Sequence, residues 1–414
     1  MCVLSRGESG GASLPLRWLT TSRLLFSSWS LLSIYAAFLG TWAWVAHGFS
    51  LESTGRPGAD FAIFWAASHL SLQGSPLQVY DHRTFIAAQL ALFGGFAESY
   101  ALPWAYPPAF LLLLMPLSLL PFGVAYLLFA ALGMYLFVTA TLSVSRLEKS
   151  VGGFWRAVLP VAALPSAFIA VIVGQNSLLT AALAAFATRW VATNPARAGV
   201  CIGLLAVKPQ MALVFPFVLV AARAWKTLVV AAATALAVTA TGVLFCGFQA
   251  FDQFVLNANL LRSSLIDHGG QHFWAASPTT YAALRGAGIA MLPAYTLHAA
   301  VAVLSICAAC AVWRSTDDTR LRAAILAVSA LIVSPYVWHY ELAWLGIALA
   351  CIAAFGLNGK WLFGEQAVLA LAWLLPLYEH FNRLAQLPQI GAIVLLLMVL
   401  ILLRRARSAP GEYT

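Results

Sequence analysis

The chain has 414 residues, 62% of them hydrophobic and only 9% charged, with a formal net charge of +9. A soluble domain carries about a quarter charged residues, so the composition excludes a soluble enzyme and reads as a polytopic membrane protein with no separate soluble part. The positive charge gives no reason to expect a nucleic-acid partner; its use is to mark the cytoplasmic side, where Lys and Arg concentrate.

Arg6, Arg17 and Arg23 precede an apolar run over 24–46. The run is long for a signal peptide, and Trp44 stands where cleavage needs a small residue. It predicts an uncleaved first helix with a cytoplasmic N-terminus. A large outer loop, 47–121, follows. Two amphipathic stretches, 61–73 and 82–93, are divided by the turn signal GSP at 74–76. Asp60 stands just before the first of them and reads in two ways. As an N-cap it would accept backbone N–H bonds from a helix starting at Phe61. As a general base at the lipid–water boundary it needs an oxygen free for substrate. Asp81, ahead of the second stretch, reads as a cap. Phe64, Trp65, Tyr80, Trp104 and Tyr106 predict an interfacial aromatic belt that floats the loop at headgroup level and offers a platform for an isoprenoid chain or a sugar face. The segment 109–121 is apolar but spans only about 20 Å as a helix, against about 30 Å of hydrocarbon. It is expected to be a surface or re-entrant helix.

Further spans are predicted at 122–145, 157–173, 177–192, 198–208, 210–222, 226–246, 293–313, 321–334, 340–356, 362–378 and 388–403, making twelve with the first. The pair 198–208 and 210–222 is expected to be two short helices meeting at KPQ. The Ala-rich run 230–240 suggests close helix packing. A second large outer loop covers 247–292. Twelve crossings place both termini inside, with 17 of the 23 Lys and Arg residues on the inner side. Only Arg56, Arg83, Lys208, Arg262, Arg285 and Arg383 fall outside.

Three polar insertions interrupt the apolar pattern: GQN (174–176), KPQ (208–210) and SPYVWHYE (334–341). Each falls at the outer end of an outward-going helix, so with Asp60 they converge on one side of the membrane. Ionisable groups near the bilayer are costly and mark functional sites. Lys208 either snorkels to the interface or supplies a fixed counter-charge for a lipid phosphate. Arg262, in the second loop, is a second candidate for that charge. Gln175, Asn176 and Gln210 suit hydroxyl binding or helix–helix hydrogen bonding. His339, Tyr340 and Glu341 read as interfacial anchors or as contacts to sugar hydroxyls and a departing phosphate. Cys307 and Cys310 have no second pair, and His82, His268 and His272 lack ligand spacing. No metal is therefore expected.

Asp60 with FAIFWAA, then GSPLQVYD (74–81), YPP (106–108), GQN, KPQ and SPYVWHY (334–340), taken in that order, resemble glycosyltransferase family 87, a member of the GT-C superfamily of polytopic glycosyltransferases. The likeness runs over about residues 24–345. It implies an all-α GT-C-type bundle of about twelve transmembrane helices, in one integral-membrane domain over 1–414, with a large first extracytoplasmic loop carrying surface helices. It also implies transfer of mannose from a polyprenyl-phosphate donor to a cell-envelope glycan or glycolipid, with Asp60 as the base. The lipid-phosphate chemistry so implied needs no cofactor. Lys208 and His339 fall where donor-phosphate or sugar contacts are expected. The expected location is the inner (plasma) membrane with the active site facing out. Two rival readings are a transporter and a non-catalytic polyprenyl-lipid-binding assembly protein.

Overall fold

The computed structural model describes residues 18–49, 56–74, 76–94 and 101–408. Cys2, Arg6, Arg17, Ser75 of the GSP turn and the loop stretches 50–55 and 95–100 lie outside the described residues. No strand occurs among the residues described. The helices run in chain order as α1 (Thr21–Val45), α2 (Ala59–Leu72), α3 (His82–Phe93), α4 (Pro108–Leu114), α5 (Phe122–Ser145), α6 (Leu147–Val151), α7 (Phe154–Ala162), α8 (Pro165–Val173), α9 (Ser177–Trp190) and α10 (Pro195–Leu204). They continue as α11 (Phe215–Ala221), α12 (Trp225–Cys246), α13 (Phe248–Leu261), α14 (Gly270–Trp274), α15 (Thr280–Gly286), α16 (Met291–Ser315), α17 (Thr319–Val333), α18 (Ala343–Asn358), α19 (Glu365–Ala385) and α20 (Gly391–Ser408).

Among the described residues, five stretches are long and apolar enough to cross a bilayer: α1, α5, α12, α16 and His339–Asn358, which is α18 with its leading turn. The predicted span 157–173 is instead two helices, α7 and α8, bent by 64°. Pro165 opens α8, and a proline pushes the residue before it out of helical geometry. Counted as one broken span, the pair brings the total to six, half of the twelve crossings expected. Several expected spans are short for the task. The predicted 177–192 is α9, of 14 residues, and 210–222 holds the end of a 3-10 turn and the seven-residue α11. The break expected at KPQ is present: two 3-10 turns, Leu205–Val207 and Pro209–Ala212, flank Lys208. The segment 109–121 is helical over Pro108–Leu114 and then 3-10 over Met115–Leu119.

α18 lies at the centre, with all but its last two residues buried. Around it α5, α9 and α17 form the main apolar core, into which Trp344 donates its ring N–H to Thr180 at 3.1 Å. α1 and α12 carry large exposed apolar side chains, among them Phe26, Trp29, Leu236 and Leu244. Such a surface suits lipid contact. The packing of α12 on α10 rests on two glycines four residues apart. A Cβ at Gly199 would stand 2.6 Å from that of Val230, and one at Gly203 would stand 2.4 Å from that of Thr234. Small residues at this spacing let helix backbones approach closely, as the Ala-rich run predicted.

The first loop has a core of its own. Phe61, Phe64, Tyr80, Phe85, Trp104 and Phe110 are all fully buried, with edge-to-face ring pairs such as Phe64–Phe110 at 5.3 Å and 90°. The expected aromatic belt is thus corrected: Phe64, Tyr80 and Trp104 are interior. Large rings bury much apolar area, which helps to order a loop of this length. Asp81 caps α3 as predicted, accepting from the Thr84 N–H at 2.8 Å. Asn257 in α13 donates to the carbonyls of Tyr80 and Trp104, both at 2.9 Å. Asn382 in α19 donates to Ala275 O at 2.8 Å, and Ser277 to Val337 O at 2.8 Å. These bonds gather the two large loops and the SPYVWHYE segment at one end of the molecule.

Candidate active site

Gly58, not Asp60, is the N-cap of α2. It has φ +86° and contributes no side-chain cap bond, and glycine takes this left-handed geometry without penalty. The capping reading of Asp60 is therefore corrected: the helix begins two residues earlier than expected, and the carboxylate lies in its first turn. The second half of the site comes from GQN. Gly174 ends α8 at φ +79°, and a Cβ there would lie 2.5 Å from that of Phe61. Only glycine lets this segment run against the start of α2. The Gly58 N–H donates to Ile172 O at 2.6 Å and locks the approach.

The contact brings Gln175 to Asp60. Gln175 Nε2 donates to Asp60 Oδ2 at 2.6 Å, and Gln175 Oε1 accepts from the Tyr106 hydroxyl at 3.2 Å. Asn176 reaches the other way, accepting from Lys208 Nζ at 3.0 Å. Lys208 also donates to Glu341 in a buried ion pair, with the rings of Tyr106 and Tyr340 at 5.8 Å and 5.6 Å from its ammonium. His339 Nε2 lies 3.3 Å from Nδ1 of His380 in α19. Six of the expected residues, Asp60, Tyr106, Gln175, Asn176, Lys208 and Glu341, thus form one polar network. Tyr340 adds a ring to it and His339 adjoins it.

Three expected residues stand apart. Trp65 stacks on His69, donates to Leu120 O at 3.1 Å and packs on Phe93; its ring belongs to the first-loop core. Arg262 pairs with Asp267 at 3.1 Å, inside a second-loop cluster where Asp267 also accepts from Tyr281 and Tyr295 at 3.2 Å and 2.6 Å. Gln210 is partly exposed and makes none of the hydrogen bonds of the network. Among the described residues, no group of three or more His, Cys, Asp and Glu side chains is placed to hold a metal.

Two features give the network chemical potential. Asp60, which lies outside the membrane-spanning helices, is closely surrounded by protein yet keeps part of its surface accessible. Burial pushes its carboxyl up to about 6, against the downward pull of the Gln175 hydrogen bond and of Lys208; Glu341 adds a smaller upward push. It is therefore ionised at neutral pH but more basic than a free carboxylate. Among the described residues Gln175 is its only hydrogen-bond partner, which leaves Oδ1 unengaged. In addition, Asn176 Nδ2, Glu341 Oε2 and His339 Nδ1 are shut off from water with no hydrogen-bond partner among the described residues. Such groups cost about 1–3 kcal/mol each.

One further charge acts on the network. Arg383, three residues after His380 in α19, exerts its charge on Asp60, His339 and His380. The sequence carried one signal for it: in the expected topology Arg383 is among the six cations that fall outside.

The site is thus a partly accessible carboxylate joined to a buried polar network, in a chain that is all-helical over its described residues and has several helices apolar enough to cross a membrane. The sequence model of glycosyltransferase family 87 matches residues 104–335, more than half of the chain. The chain belongs to that family, within the GT-C-like group, and is a membrane glycosyltransferase. The match includes Tyr106, Gln175, Asn176, Lys208 and Arg262; Asp60 and the His339–Glu341 turn lie outside it. No curated protein and no solved structure matches the chain.

Proposed function

We propose that the chain moves a hexose, with mannose as the sugar the resemblance points to, from a polyprenyl-phosphate donor to a cell-envelope glycan or glycolipid on the extracytoplasmic side. The observation that carries this reading is the state of Asp60: one oxygen held by Gln175, the other unengaged, and a basicity raised by burial. An acceptor hydroxyl is a weak nucleophile until a base takes its proton. Asp60 Oδ1 accepts that proton as the hydroxyl oxygen attacks the sugar C1. The C1–O bond to phosphate breaks, its electron pair leaves with the lipid phosphate, and the anomeric centre inverts. Tyr106 holds Gln175, and Gln175 holds Asp60, so the base is fixed before substrate arrives. Asn176, Glu341 and His339 have unsatisfied polar atoms suited to sugar hydroxyls. A donor anchored in lipid accounts for a polar site built at the membrane edge.

In this reading the protein sits in the inner membrane with both termini cytoplasmic, and the short helices complete the twelve crossings beside their neighbours. The test is transfer by purified protein from polyprenyl-phosphate sugars, read by mass spectrometry of envelope lipids. Asp60→Asn should lower turnover at least about 100-fold, the scale of a lost general base, while the protein still folds and binds the donor lipid. A transporter or a lipid-binding assembly factor would be indifferent to the change. Undiminished transfer by Asp60→Asn would remove the proposed mechanism.

A further inference from the structure

A departing phosphate gains a second negative charge as the C1–O bond breaks, so the site needs a cation that is not already neutralised. Lys208 does not meet that need: it is buried against Glu341 and bonded to Asn176. Arg262 is held by Asp267 in the second-loop cluster. Arg383 differs from both. Its Nε is shut off from water without a hydrogen-bond partner among the described residues, while the side chain as a whole keeps partial exposure. It sits in the last turn of α19, three residues beyond the His380 that touches His339 and next to the Asn382 that ties α19 to the second loop. Nδ1 of that His339 is likewise without a hydrogen-bond partner among the described residues. A guanidinium with open N–H groups suits a phosphate's oxygens through paired hydrogen bonds.

We propose that Arg383, assisted by His339, binds the phosphate of the lipid-linked donor and holds the lipid phosphate as it leaves. This rests on the reading of a polyprenyl-phosphate donor but assigns that phosphate to a residue outside the matched family region. The charges then balance: Asp60 takes the acceptor's proton, and Arg383 faces the charge that develops on the leaving group.

The test uses the full chain in lipid nanodiscs. Binding of a polyprenyl monophosphate is compared with that of the uncharged polyprenol of equal length. Wild type should prefer the phosphate, and Arg383→Gln should erase about 10- to 100-fold of that preference, the range for a charge-assisted hydrogen bond. Arg262→Gln should bind as wild type does. A second measurement needs no variant: phenylglyoxal should modify Arg383 in the free protein, and the lipid phosphate, unlike the polyprenol, should protect it. Equal preference in wild type and a folded Arg383→Gln, or equal modification with and without lipid phosphate, overturns the proposal. If inorganic phosphate binds as tightly as the lipid, and Arg383→Gln weakens both equally, the site takes free anions and the lipid assignment is overturned. The outcomes separate the two readings. Loss of transfer in Asp60→Asn with lipid-phosphate binding independent of Arg383 removes this inference alone. Intact transfer in Asp60→Asn removes the base and leaves the binding test standing.

Discussion

The raised basicity of Asp60 has two consequences at the level of a single residue. A base must be unprotonated, so kcat/KM should rise with pH through about 6 and level off above it. At pH 5 it should be about ten-fold below the plateau, as a pH–rate profile would show. The second consequence concerns stability. The folded carboxyl holds its proton more tightly than an unfolded one, which titrates near about 3.9. The stability due to this group is thus fully present below about 4 and lost as pH rises through about 6. Lys208 and Glu341 make a different prediction. Removing one partner of a buried pair strands the other charge, so Lys208→Met should destabilise by about 3–5 kcal/mol. The double change with Glu341→Leu should recover most of that, which denaturant titration in detergent would measure. Asp60 and Lys208 were legible in the sequence because charge is so scarce in this chain. The pairing of Lys208 with Glu341 was not, because hydropathy says which residues are costly and not which of them meet.

Among the elements, the junction of α2 with α8 controls the site. Gly174→Ala forces a left-handed φ on a residue with a Cβ and drives that Cβ into Phe61. The backbone strain alone is about 1–3 kcal/mol. Displacing Gln175 from Asp60 by even 1 Å should cost about 100-fold in turnover. Gly123→Ala is the control, since a Cβ there meets nothing within 4 Å and no unusual φ is involved; its activity and melting temperature should match the wild type. The long uniform helices were readable from hydropathy to within a few residues, as the predicted 122–145 and the observed Phe122–Ser145 illustrate. The break at KPQ was readable because a lysine and a proline together interrupt an apolar run. The bend before Pro165 was missed because the residues around it stay apolar, so hydropathy runs through it without a dip. The loop aromatics were misjudged for a related reason: rings at an interface and rings in a small core have the same composition and spacing.

For the whole molecule, the arrangement of basic residues and the gathered loops lead to one topological expectation. Reporter fusions after residue 408 and within 315–319 should report a cytoplasmic location, and a fusion at 288 an external one. An external signal from the 315–319 loop would break the proposed topology. The convergence of GQN, KPQ and SPYVWHYE was anticipated from the alternation of helix directions. Arg383 was counted among the six outer cations but given no role, because its polar neighbours Glu379, His380 and Asn382 fall between two predicted spans, where polar residues are ordinary.

The Lys208–Glu341 pair also bears on how the chain is made. Its two members are 133 residues apart. At about 5–20 residues per second of synthesis, the ammonium enters the membrane region on the order of ten seconds before the carboxylate that will neutralise it exists. During that interval the ammonium lacks the carboxylate it pairs with in the finished fold. The ion pair therefore closes late in synthesis: the polar network around Lys208 is complete only once residue 341 has been made.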